Sequence, residues 1–314
     1  MAVIFMGSAP AKAQSYPAKP IRVIVPVPAG SGMDVVGRSV VEKMAQNMDH
    51  TFVIENIGGA SGNVGAGVVA RAAPDGYTLL VLTDSLPLSA LTYKSLGFDP
   101  MRDLQMFGTI ARAVYILSVP SSLPAHSAEE FVRLARAKPG SIAYGSVGMG
   151  SPHQLVMEMF AQANGIELLH VPYKGSNETV TALLGGSIQA AMGLPSSFAP
   201  HIKSGKIRAL AVTSVKRVAA FPEVPSLQER AVASVEYESW FGLFAPSGTP
   251  SPILERLHAE LGKVLRDKSY TDARLAKIGL DPFESPSPAA AAALVRSYYE
   301  KVAPAVKKAG IKAE

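Results

Sequence analysis

Short apolar runs alternate with helical stripes along most of the chain. Ile21–Val25 (IRVIV), Thr51–Glu55 (TFVIE) and Thr78–Leu82 (TLLVL) read as strands. Between the first two, Val36, Val40, Met44 and Met48 recur every fourth residue, the apolar stripe of a helix that Asp34 is placed to cap. A glycine-rich turn and a helix of small residues separate the second strand from the third. The pattern β-α-β-α-β begins a parallel sheet.

A second series follows. Val114–Val119 (VYILSV) reads as one strand, and Ser127-x-x-Glu130 as a capping box opening a helix to Ala137. Ile142–Gly145 is the next strand. Ser151-Pro152-x-Gln154 opens another helix, with proline in its first position and a stop at Gly165. Strands are expected at Glu167–Val171, Ile188–Met192 and Ile207–Thr213, with a helix from Ser176 to Gly185-Gly186. The apolar-aromatic stretch Val235–Ala245 is long enough to cross between domains. Two helices close the chain, one from Ser251 to about Leu265 and one from about Pro288, the latter expected to kink or break at Pro304. The predicted architecture is α/β, with two parallel-rich sheets flanked by helices and a cleft between two lobes. Residues 14–117 and 241–314 are expected to form the first lobe and 118–240 the second, hinge strands included.

The 314 residues are 48% hydrophobic and 18% charged, which supports a sizeable core. Cysteine is absent, which excludes disulfides, thiolate metal sites and cysteine nucleophiles. The net charge of +5 is scattered, with no run of five basic residues, so no nucleic-acid partner is expected. No apolar run approaches the roughly 18 residues of a membrane span. Residues Met1 to Gln14 (MAVIFMGSAPAKAQ) carry a short apolar run and Ala11-Lys12-Ala13, a small-x-small cleavage pattern. They read as the remnant of an export signal ending at residue 13, or as a frayed terminus.

Catalytic patterns are lacking. The six histidines form no H-E-x-x-H, no G-x-S-x-G elbow occurs, and no phosphate-binding P-loop is present. Gly58–Gly67 follows a strand and opens a helix, yet its glycine spacing departs from the dinucleotide fingerprint and reads as a tight turn. No cofactor and no metal are expected. Two loops carry more information. Pro26–Asp34 (PVPAGSGMD) and Gly145–Ser151 (GSVGMGS) each place small residues between a strand and a helix N-terminus, where free amides and the helix dipole suit an anion. Together they describe a pincer with no catalytic group in it.

At these residues the sequence resembles the periplasmic solute-binding proteins of tripartite tricarboxylate transporters, the Bug family. The resemblance spans Tyr16 to Ile311 and rests on PVPAGSGMD, GGASGNVGA (58–66), APDGYTLL (73–80), GSVGMGSP (145–152), HVPYKG (170–175), RALAVTS (208–214) and SWFGLFAP (239–246). It implies a type II periplasmic-binding fold that closes over a small carboxylic acid, no enzymatic activity, a periplasmic location, membrane permease subunits as partners and a monomeric receptor. It further implies that the first-lobe loop, with Val27, Ala29, Gly30, Ser31 and Gly32, and the second-lobe loop, with Ser146, Gly148, Met149 and Ser151, hold the carboxylate through backbone amides and water. Asp34 is read either as helix cap or as ligand contact. Thr83, Asp84 and Ser85, then Tyr173 and Lys174, and finally Leu194 and Pro195 follow strands at the cleft.

The departures bear on the ligand. Val27 replaces a common aromatic residue, and Met149 and Gln154 replace polar ones. Ala191–Ser196 (AMGLPS) lacks the acidic residue of the family stretch. Leu86, Met149, Leu194 and Phe198 either face the ligand as an apolar wall or pack within the lobes. The expected ligand is an aromatic or aliphatic mono- or dicarboxylate, terephthalate-like or adipate-like, rather than a zwitterion. Transport receptor, periplasmic sensor and two-lobed enzyme remain the alternatives at this level.

Overall fold

The computed structural model describes residues 16–312, so the export-signal expectation at residues 1–13 lies outside the described residues. The chain alternates as expected: β1 (Ile21–Val25), α1 (Gly32–Met48), β2 (Phe52–Asn56), α2 (Asn63–Ala70), β3 (Thr78–Thr83), α3 (Ser85–Thr92), β4 (Leu104–Val114), β5 (Ile116–Pro120), α4 (Ala128–Ala137), β6 (Ala143–Ser146), α5 (Pro152–Asn164), β7 (Leu169–Pro172), α6 (Ser176–Leu184), β8 (Ala190–Gly193), α7 (Pro195–Lys203), β9 (Ile207–Val212), β10 (Glu238–Pro246), α8 (Ser251–Arg266), α9 (Lys268–Arg274), β11 (Asp281–Pro282) and α10 (Pro288–Ala309).

Two sheets result, each the centre of one lobe. The first runs β11-β4-β10-β3-β1-β2 and the second β7-β6-β8-β5-β9. Both are mixed. The βαβ units supply the parallel pairs β1–β2, β1–β3, β6–β7 and β6–β8, and the strands next to the crossings pair antiparallel. β1 and β3 are buried on both faces, which accounts for their unbroken apolar runs.

The run Val114–Val119, expected to be one strand, is divided between the sheets. β4 ends at Val114 in the first, β5 begins at Ile116 in the second, and Tyr115 lies between. The return path runs from Thr213 to Tyr237. Thr213 ties the two crossings together. Its hydroxyl accepts the Tyr115 amide at 2.9 Å and donates to the Tyr237 carbonyl at 2.7 Å, and its amide donates to the Tyr115 carbonyl. Helix α10 packs on β4 and α3 of the first lobe and also reaches α5 of the second, where Gln162 donates to the Lys308 carbonyl.

Two local expectations are corrected. The N-cap of α1 is Ser31 and Asp34 stands inside the first turn, because the chain enters the helix straight from the Gly30 turn. α10 continues through Pro304. The carbonyl this proline leaves without a donor is that of Glu300; both residues are exposed, so water takes it.

Candidate functional site

Each βα unit of a sheet ends its strand at the same edge, so the helices that follow start there. Here the two edges face each other. Ser31, Gly62, Ser151, Gly175 and Leu194, which cap α1, α2, α5, α6 and α7, and Ser85, the first residue of α3, line one cavity between the lobes. The first amides of a helix have no acceptor within it and carry the positive end of its dipole. Six helix N-termini therefore direct donors and partial positive charge at one space. Hydroxyls of Ser31, Ser61, Thr83, Ser85, Ser151, Ser176 and Ser197 form a collar, and Pro26, Val27, Met33, Val147 and Leu194 supply apolar surface. Lys174 is the one charged side chain in this lining.

The cavity volume is about 50 Å³. That is room for a handful of waters. The lobes touch closely. Gly32 donates its amide to Ser176 Oγ at 3.3 Å, and Ser61 Oγ and Tyr93 Oη both donate to the Met149 carbonyl, at 2.8 and 3.0 Å. A methyl group on Gly32 would lie 2.4 Å from Ser197 Oγ and 2.6 Å from Ser196 Oγ. One on Gly148 would lie 2.7 Å from Ser61 Oγ. Both points are tight, and Gly148 in addition holds a φ of 127° that favours glycine.

Three buried polar atoms at this interface have no partner: Ser31 Oγ, Ser196 Oγ and His153 Nδ1. Ser31 occupies an N-cap position without capping its helix. Burial lowers the His153 pKa from 6.5 to about 3, so the ring is neutral, and part of it lines the cavity. Buried polar groups are nearly always satisfied in native proteins. Orphans grouped around one cavity mark the groups a ligand would complete.

Of the residues expected from sequence, Val27, Ser31, Ser85, Ser151 and Leu194 line this cavity. Gly148, Met149 and Tyr173 border an adjoining chamber that shares Ser61, Val147 and Lys174 with it. Gly32 forms the lobe contact. Ala29, Gly30 and Asp34 border an outer groove instead. The Asp34 carboxylate accepts from the Gly30 amide, Arg38 and Asn56; the last two bonds, with Arg38 charged, and the Gly30 amide together hold its pKa below the usual value against its burial. Asp84 is fully buried and turned away, accepting from Ser239, Tyr237 and Tyr298 at 2.6 to 2.9 Å. Pro195 opens α7 and packs toward Gly279. Ser146 builds its loop: its hydroxyl donates to the Gly148 carbonyl, accepts the Gly148 amide and bonds His170 Nε2 at 2.7 Å. Ser146 is buried outside the cavity lining, and burial lowers the His170 pKa to about 4, so the pair braces the loop with a neutral ring. Sequence reading missed His153, Ser197 and Ser61. The first two stand in the first turns of α5 and α7; Ser61 lies in a stretch read as a turn alone.

The family model described as "Tripartite tricarboxylate transporter family receptor" matches residues 36–311. This chain belongs to that receptor family. Among curated relatives, the "UPF0065 protein in gbd 5'region" of Cupriavidus necator is 34% identical over 285 residues, 90% of this chain and 86% of its own. Among solved structures, the periplasmic binding protein BugD superposes with a TM-score of 0.89 at 31% identity, covering 95% of this chain and all of its own. The R. palustris Rpa4515 protein, solved with adipate, gives 0.90 at 32% identity, with 95% and 99% coverage. This chain and these solved relatives share the two-lobed fold. No helix among the described residues is long and apolar enough to cross a membrane.

Proposed function

We propose that this protein is a periplasmic receptor that traps one small carboxylate by lobe closure and hands it to the membrane subunits of a tripartite tricarboxylate-type transporter. The convergence of six helix N-termini on a cavity with orphaned buried polar groups carries this reading. Such a site grips an anion with amides and hydroxyls and offers no nucleophile to transform it. The lobes, each built on one of the two sheets, swing about the crossings that Thr213 ties.

The ligand is an aromatic or aliphatic mono- or dicarboxylate, adipate-like or terephthalate-like. No carboxylate lines the cavity, because Asp34 and Asp84 are committed elsewhere. An ammonium group would therefore be buried without a counter-charge, an expensive arrangement. The adipate bound by the R. palustris relative fits the same chemistry. Thermal shift and calorimetry on the mature chain with adipate, terephthalate, glutamate and aspartate test this. A ligand at a hundredfold excess over its Kd stabilises by about 2.7 kcal/mol. Shifts with the plain acids and none with the amino acids are expected; tight glutamate binding would refute the ligand class, and silence from every carboxylate would refute the receptor reading.

A further inference from the structure

A second cavity lies in the first lobe, apart from the cleft, where β4, β10 and α10 meet. Its volume is about 300 Å³. Trp240, Phe283 and Tyr298 supply aromatic walls, and Arg112, Lys301 and Glu238 stand exposed at its margin. Two observations single it out. Trp240 is 4% exposed and its Nε1 is buried without a partner. An indole N–H only donates, so what is missing there is an acceptor. The Arg112 guanidinium carbon lies 3.8 Å from the Phe283 ring centre, and neither Arg112 nor Lys301 forms an ion pair among the described residues. Asp281, its register partner on β11, does not pair with it.

We propose that this cavity is a second binding site, for a small aromatic carboxylate. Arg112 and Lys301, neither of them held in an ion pair, draw the carboxylate, for which a guanidinium is a matched fork. The aromatic walls take the ring, and Trp240 Nε1 supplies a donor for an oxygen.

Trp240 is the only tryptophan in the chain, so its fluorescence reports from inside the site. Benzoate is titrated into the protein, into Arg112→Gln and Lys301→Gln, and into Gly32→Leu, which obstructs the cleft; benzyl alcohol is the uncharged control. The expected result is a saturable change in emission with benzoate alone, preserved in Gly32→Leu and weakened at least about tenfold in Arg112→Gln. The exposed Lys301→Gln change, expected to weaken binding less, provides the reading if Arg112→Gln fails to fold. The proposal is overturned by the absence of a saturable change, by a change that both charge variants leave untouched, or by one lost in Gly32→Leu.

Discussion

Ser61 donates its hydroxyl across the cleft to the carbonyl of Met149, 2.8 Å away. The backbone that presents it is unusual. Gly59, Ala60, Ser61 and Gly62 all have positive φ, at 127°, 47°, 55° and 95°. Glycine adopts such values freely; alanine and serine do so at a cost of about 1–2 kcal/mol each. The strain places a donor where the second lobe closes, beside the one from Tyr93.

Ser61→Ala removes this latch and leaves the carbonyl to Tyr93. A neutral hydrogen bond contributes about 0.5–1.5 kcal/mol, so affinity for the cognate carboxylate should fall about threefold to tenfold, mostly through faster release. Stopped-flow dissociation checks it, and an unchanged release rate would remove Ser61 from the closing contact.

Gly32→Ala inserts a methyl group against Ser196 and Ser197 of the opposite lobe. Overpacking of this kind amounts to about 1–3 kcal/mol. Only the closed form is crowded, so calorimetry should show ligand affinity reduced tenfold or more. The melting temperature without ligand should drop by far less than that of the ligand-bound protein. Equal affinity in the variant would contradict the closed geometry.

Lys174→Gln removes the single charge from the cavity wall. Binding should persist, about fivefold to tenfold weaker and less dependent on salt, because helix N-termini hold the anion without it. Complete loss of binding, with folding intact, would show that an ion pair and not the amides grips the ligand.

His153 and His170 are held neutral by burial, with pKa values near 3 and 4 against 6.5 in an open chain. Between these values the unfolded chain binds more protons than the folded one. Their contribution is whole above pH 6.5 and is lost as pH falls below it, by at most about 1.4 kcal/mol per pH unit per group. Denaturant midpoints taken down to about pH 5 should follow this slope, and His153→Gln should make it shallower. An identical slope in the variant would refute the assignment.

Asp84 works in the opposite sense. Burial raises its pKa from 3.8 to about 7, against the lowering effect of Ser239 and Tyr237. The folded chain keeps a proton there that the unfolded chain has released, so stability decreases as pH rises from about 4 to 7. Asp84→Asn, which cannot ionise, should flatten that decline by at least about 1 kcal/mol. Urea denaturation at several pH values reads the difference, and a decline equally steep in the variant would count against it.

Much of this architecture is legible in the residues themselves. Ser151 with Pro152 and Gly165 delimits α5 as the capping rules demand, and Ser127 does cap α4. The sequence misplaces the cap of α1: Asp34 reads as the cap, and the backbone turn at Gly30 gives that position to Ser31. The split at Tyr115 was hidden because sheet membership is tertiary, and an apolar run carries no mark where it changes sheets. His153 gave no signal, since a single histidine beside a proline matches no motif; its meaning comes from burial and from the lobe facing it. Ser61 was obscured by its glycine neighbours, which suit a plain turn equally well.

The convergence of helix N-termini separates two tasks that binding proteins often assign to the same side chains. In the receptor proposed above, the grip on the anion comes from main-chain amides, which no substitution short of proline deletes, and selectivity falls to replaceable neighbours such as Val27, Leu194 and His153. Such a cleft is a chassis: its contents can be exchanged, by evolution or by an engineer, while the handle that catches any carboxylate stays in place.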